Sequence, residues 1–267
     1  MSGSLKQYQY LLYEKVNSIT TITLNDPKKL NALSLTMQSE LRDALQYVRD
    51  DEETRIVIIT GAGKKSFCVG GDIHDFKEIT SIRGYRLMRD IGYEIHRLME
   101  VMEKPFIAAV NGYCLAGGLE VALSCDFIIA AKEAQFGASE INIGIIPGWG
   151  GCVRLPRAIG ARRAKEWVMT GKRFSAIEAE HFGLINRVVP GAILLDEARK
   201  FAEELVTKSP NAIKMAKMVI NLSGETGDLD TALAVERGAI SALFGSEDCR
   251  EGIQAFFEKR APRFKGL

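Results

Sequence analysis

The chain has 267 residues, 46% of them apolar, which suffices for one large domain or two small ones with a sizeable core. Lys and Arg (35) balance Asp and Glu (34), and the resulting net charge of +1 argues against a general nucleic-acid binder while leaving room for a local basic patch. Five cysteines without CxxC spacing (Cys68, Cys114, Cys125, Cys152, Cys249) predict reduced thiols, and three dispersed histidines (His74, His96, His181) predict no structural zinc and no bound metal.

In chain order, MSGSLKQYQYLLYEKV lacks the pattern of a signal or transit peptide. Tyr8 to Leu24 holds two strand-like runs around Asn17-Ser18, and the chain then breaks at Asn25-Asp26-Pro27. Met37, Leu41, Leu45 and Val48 recur at helical spacing after Ser34, a predicted N-cap. Ile56 to Thr60 reads as a buried strand ending at glycine. Ile91, Ile95, Leu98 and Val101 form a second helical stripe. PFIAAVNG predicts a strand and turn, GGLEVALSC a short helix and DFIIAA another strand. This alternation predicts an α/β fold with parallel strands. From about Ala161 helical patterns dominate. Ala212, Met215, Ala216 and Val219 share one face; Leu229, Leu233, Ile240 and Leu243 share another, interrupted at Glu236-Arg237. A boundary near Pro190 divides a core, 1–190, from a helical region, 191–267. No fixed-period repeat or low-complexity segment is visible. No apolar run reaches membrane-spanning length and FKGL matches no targeting tripeptide, so a soluble, cytoplasmic protein without a membrane partner is expected.

Several motifs fail on inspection. ITGAGKKSF follows a strand, but Ile58 stands where a P-loop needs its first glycine and Lys65 where it needs Ser or Thr. A dinucleotide fingerprint needs a third glycine at Ser66. There is no GxSxG elbow. Cys125 reads as a small core residue and His74 as a lone loop histidine. Two glycine pairs are more informative. Gly70-Gly71 and Gly117-Gly118 each follow a strand-like run, and the second opens a helix whose first N–H groups suit an oxyanion. Glu120 lies in the first turn of that helix, with no other charge in LEVALSC. Glu140 stands in FGASEINIGIIPGWGG, again among apolar residues and glycines. Burial raises a carboxyl pKa towards the range useful for proton transfer. Spacing alone leaves two readings open: acid–base chemistry on a carbonyl compound, or structural carboxylates.

The sequence resembles the crotonase superfamily, and most closely its enoyl-CoA hydratases. The likeness runs from LNDPKKLNALS through FCVGGDIHDF and AAVNGYCLAGGLEVALSCDFIIAAKEAQFGASEINIGIIPGWGGCVRLPRAIG to TGKRFSAIEAEHFGLINRVVP and REGIQAFFEKRAPRFKG. It implies a crotonase-like spiral of ββα turns whose helical C-terminal region builds homotrimers, often paired into hexamers. It implies that Gly71 and Gly117 hold an acyl-CoA thioester carbonyl. Glu120 is then chiefly the activator of water and Glu140 chiefly the proton donor to the α-carbon, with the backbone of Gly148 orienting the water. The implied reaction adds water across the double bond of a trans-2-enoyl-CoA, with coenzyme A as part of the substrate and no separate cofactor. Lys65 would contact the CoA phosphates, the backbone of Cys68 and Val69 the adenine, and Phe256 and Lys259 the CoA of a neighbouring subunit. Asp72, Ile73 and Trp149 would line the substrate pocket. Three departures bear on the substrate: His74 replaces a common lysine, Trp149 a small residue and Ser139 a common proline. Branched, cyclic or dienoyl acyl groups stay open. So do isomerase, hydrolase, decarboxylase and non-catalytic CoA-ester-binding readings, although isomerases typically keep only one of the two glutamates.

Overall fold

The computed structural model describes residues 6–267. Its strands, in chain order, are β1 (Leu11–Val16), β2 (Ile19–Leu24), β3 (Ile56–Gly61), β4 (Ser66–Cys68), β5 (Phe106–Val110), β6 (Tyr113–Leu115), β7 (Phe127–Ala131), β8 (Gln135–Gly137), β9 (Phe174–Ser175) and β10 (Arg187–Val189). They form two sheets, ordered β1-β2-β3-β5-β7-β10 and β4-β6-β8-β9. β1 and β2 make an antiparallel hairpin across Asn17, which takes the left-handed φ of 53° the tight turn needs. From β2 to β10 the first sheet is parallel. β3 and β5 are buried along their whole length, hence their unbroken apolar runs. In the second sheet β4, β6 and β8 are parallel, and β9 runs against β8. Each turn of the chain therefore delivers one long strand to the first sheet and one short strand to the second: β3 then β4, β5 then β6, β7 then β8. This is a spiral of strand pairs.

The helices are α1 (Leu35–Asp50), α2 (Ser81–Leu87), α3 (Tyr93–Val101), α4 (Gly117–Leu123), α5 (Gly151–Ile159), α6 (Ala161–Thr170), α7 (Ala176–His181), α8 (Leu194–Val206), α9 (Pro210–Glu225), α10 (Leu229–Phe244) and α11 (Glu247–Glu258). Ser34 caps α1 by accepting the Met37 N–H at 3.2 Å, and Met37, Leu41, Leu45 and Val48 are its buried face, as their spacing predicts. The stripe beginning at Ile91 is less regular. Met88–Gly92 is a π turn between α2 and α3, so Ile91 lies outside α3, and Val101 faces out. α8 belongs by packing to the sheet, with Leu194, Ala198 and Ala202 buried against it.

The last helices depart from their apolar pattern. Ala212 and Ala216 of α9 are exposed, and a lysine docks the helix instead. Lys217 is buried, and its ammonium donates to Met99 O (2.7 Å), Lys104 O (3.0 Å) and Asp126 Oδ2 (2.8 Å). Asp126 Oδ2 also accepts the Phe106 N–H at 2.7 Å. Three donors meet three acceptors, the condition for burying an ammonium. On α10 only Ala232 and Ala239 are buried, while Leu229, Leu233 and Ile240 point outward. No helix of the described residues is long and apolar enough to cross a membrane.

Candidate active site

Two glycine loops meet at the C-terminal ends of β4 and β6. The first is fixed through Leu33, which donates to Gly70 O (2.8 Å) and accepts from Asp72 N (3.2 Å). In an extended segment successive amides alternate in direction, so these bonds leave the N–H of Gly71 on the other side. It has no acceptor among the described residues. Gly70 has φ of +95°, and a Cβ there would sit 2.8 Å from Ala116 Cβ and 2.9 Å from Gly117 N. Only glycine lets the loops approach so closely. On the second loop, Ala116 adopts φ 51°, ψ −127°, a strained conformation for a residue with a side chain. It redirects the chain from β6 into α4, and the N–H of Gly117, first in the helix, has no acceptor among the described residues. Asn31 and Asn111 both donate to Ser66 O, at 2.9 and 3.1 Å, and so fix the start of β4. Sequence reasoning passed over these two residues, although each stands inside a quoted motif, LNALS and VNG.

The carboxylates converge on the same place. Gly71, Gly117, Glu120, Glu140, Gly148 and Trp149 border one cavity of about 170 Å³. Ile73, Phe76, Met88 and Ile143 are among its apolar walls. Glu120 is 3% exposed, on the inward face of α4. Its Oε1 accepts the N–H groups of Trp149 and Gly151, each at 2.7 Å. Burial raises its pKa, opposed by those two N–H donors and by Arg154. Glu140 opens the 3-10 turn Glu140–Ile143 after β8 and is 8% exposed. Neither of its carboxyl oxygens has a partner among the described residues. Burial, with the charge of Glu120 added, pushes its pKa up to about 7. The pair is therefore differentiated. One carboxylate is tied by two backbone donors, and one carboxyl is free to give or take a proton near neutrality.

The turn that holds Glu120 is itself held. Arg154 of α5 donates to Trp149 O at 2.7 Å, and its guanidinium grips both oxygens of Glu100 on α3. Nothing in the local sequence announces this pair, because its members stand 54 residues apart.

The other sequence-predicted residues are distributed differently. Ile73 lies on the cavity wall, and so does Val69. Asp72, expected in the substrate pocket, is not on that wall. Its buried carboxylate accepts Lys29 Nζ (2.7 Å) and the His74 ring and backbone N–H. These contacts, Lys29 foremost, hold it down at about 2. The charge is neutralised chiefly by Lys29, from a turn 43 residues earlier, and it braces the loop instead of facing the cavity. Cys68 is fully buried, its thiol pushed up to about 12 by burial, so it presents only backbone. Lys65 is exposed, and its carbonyl accepts the Tyr113 N–H at 3.0 Å. Phe256 and Lys259, at the end of α11, are exposed and lie outside this cavity. The exposed His74 side chain serves Asp72.

Residues 14–267 match the family model described as Enoyl-CoA hydratase/isomerase. The chain is similar to the short-chain-enoyl-CoA hydratase of Clostridium acetobutylicum, 42% identical over 250 residues that cover 94% of this chain and 95% of the relative. It is 40% identical to the crotonyl-CoA hydratase of Syntrophomonas wolfei over 257 residues, 96% of this chain and 98% of the relative. Among solved structures, enoyl-CoA hydratase from Bacillus anthracis superposes with a TM-score of 0.93 at 38% identity, covering 97% of this chain and all (100%) of that one.

Proposed function

The chain belongs to the enoyl-CoA hydratase/isomerase family, and from this we propose that it adds water reversibly to a trans-2-enoyl-CoA, giving a 3-hydroxyacyl-CoA, at the cavity between Glu120 and Glu140. The observation that carries the reading is their asymmetry: Glu120 fastened by two N–H groups, Glu140 unpartnered and held at about 7.

The thioester oxygen receives the N–H groups of Gly71 and Gly117. Glu120 removes a proton from water as the water oxygen bonds to the β-carbon. The electrons of the double bond move onto the thioester, and the resulting enolate oxygen is stabilised by the two donors, whose orientation was fixed in advance by the loops. Glu140 delivers its proton to the α-carbon. One turnover leaves Glu120 protonated and Glu140 ionised, and proton exchange between them or with solvent restores the start. The Gly148 N–H, which has no acceptor among the described residues, orients the water. The chemistry as written calls on no metal or redox cofactor. Lys65 and the backbone of Cys68 and Val69 meet the CoA moiety, and Phe256 and Lys259 complete it from a neighbouring copy in a trimer or hexamer.

The test is loss of the conjugated enoyl thioester of crotonyl-CoA, beside Glu140→Gln. The parent should form 3-hydroxybutyryl-CoA, and the variant should lose roughly 10²–10⁴-fold in turnover while still binding CoA esters, the usual worth of a positioned proton donor. A folded parent that leaves every enoyl-CoA offered unchanged sinks the proposal, and a product with a shifted double bond replaces it with isomerisation.

A further inference from the structure

Trp149 enters the site twice. Its N–H holds Glu120, and its indole, 7% exposed, occupies a niche built from glycines of three separate segments. A Cβ at Gly117 would overlap the six-membered ring at Cζ3 and Cε3. A Cβ at Gly92 would overlap the five-membered ring at Nε1 and Cδ1. A Cβ at Gly71 would come within 3.5 Å of Cη2. The ring thus packs closely on Gly117 and Gly92 and reaches the neighbourhood of Gly71. Gly92 closes the π turn Met88–Gly92, a local widening of the helix that recurs at functional sites. His96 seals the far side. It is buried, its Nδ1–H donates to Gly92 O at 2.5 Å, and its ring centroid is 5.7 Å from that of the indole. Burial holds its pKa down at about 4, so it packs as a neutral ring.

The cavity in front of the indole has about 170 Å³. An apolar cavity of about 150 Å³ admits benzene, so this one has room for roughly six non-hydrogen atoms, enough for a four-carbon acyl group with its carbonyl oxygen. A longer chain needs volume that the indole fills. Resting on the proposed hydratase reading, we propose that Trp149 is the residue that sets the acyl-chain limit. Its indole is the end wall of the acyl pocket, and Gly92, Gly117 and His96 keep it in that position.

The experiment reads binding apart from chemistry. Butyryl-CoA and decanoyl-CoA are saturated and inert to hydration, and their affinities are measured by titration calorimetry for the parent, Trp149→Ala, Trp149→Phe and Gly92→Ala. The parent should bind butyryl-CoA at least tenfold more tightly than decanoyl-CoA. Trp149→Ala should lower that ratio at least tenfold, with Trp149→Phe between. Gly92→Ala, whose new methyl group displaces the indole into the pocket, should weaken butyryl-CoA at least tenfold and leave free CoA unchanged. A parent indifferent to chain length, or an unchanged ratio in a folded Trp149→Ala protein, overturns the proposal. If circular dichroism shows that Trp149→Ala does not fold, the Phe and Gly92 variants decide it by the same ratios. A parent that hydrates nothing yet loses its chain preference with Trp149 removes the hydratase reading and keeps this one.

Discussion

Glu140 is held about half protonated near neutral pH by surroundings that disfavour its charge, and that has a folding cost with a definite pH window. The unfolded carboxyl titrates near 4.5 and the folded one at about 7. Below 4.5 both states hold the proton and the site costs nothing. As pH rises towards 7 the unfolded state ionises first, and native stability falls by about 3 kcal/mol in all, at roughly 1.4 kcal/mol for each tenfold difference in proton affinity. Glu140→Gln removes the titration. The variant should match the parent at pH 4 and exceed it by about 3 kcal/mol at pH 8 in urea unfolding, and an equal gap at both pH values would contradict the raised pKa. Both glutamates were legible in the sequence because each is an isolated charge among apolar residues and glycines. Asp72 entered the expected pocket only through the family resemblance, and its partner Lys29 is distant in sequence, so no local pattern reveals the pair. The two N–H groups on Glu120 were hidden for the same reason, since they arrive from a turn about thirty residues later.

Among elements, the long strands and α1 were readable because five or more residues suffice to show an apolar run and a longer stretch a helical stripe. β4, β6 and β8 have three residues each, too few to show any period, although they carry the loops of the site. α9 misled in another way. Its apolar residues share one face by spacing, yet the contact that seats it is ionic. Lys217→Met should destabilise the protein by about 3 kcal/mol, because it leaves Asp126 charged, largely buried and short of its partner. Adding Asp126→Asn should recover part of that loss, since the amide oxygen still receives the Phe106 N–H without a charge. Thermal unfolding of the two variants compares them directly. A single variant no worse than the double would show that the ion pair contributes packing alone.

For the whole molecule, the apolar stripes of the last helices were legible but their direction was not. Composition cannot distinguish a face turned to a core from one turned to another chain. Leu229 is 71% exposed, Phe244 65% and Phe256 79%, all on the last two helices. The trimer or hexamer that the family resemblance implies should be seen by light scattering, and Leu229→Asp with Phe244→Asp should then shift it to smaller species. A parent that is monomeric at micromolar concentration would remove the neighbouring-copy role given to Phe256 and Lys259.

The double use of Trp149 has a consequence for how such a site diversifies. The proton chemistry relies on its peptide N–H, which nineteen of the twenty amino acids supply, whereas selection relies on its indole. Mutation can therefore explore the tastes of the pocket while the reactive groups stay in register, with proline the one change that severs both at once. A chain built in this way can change its diet without relearning its chemistry.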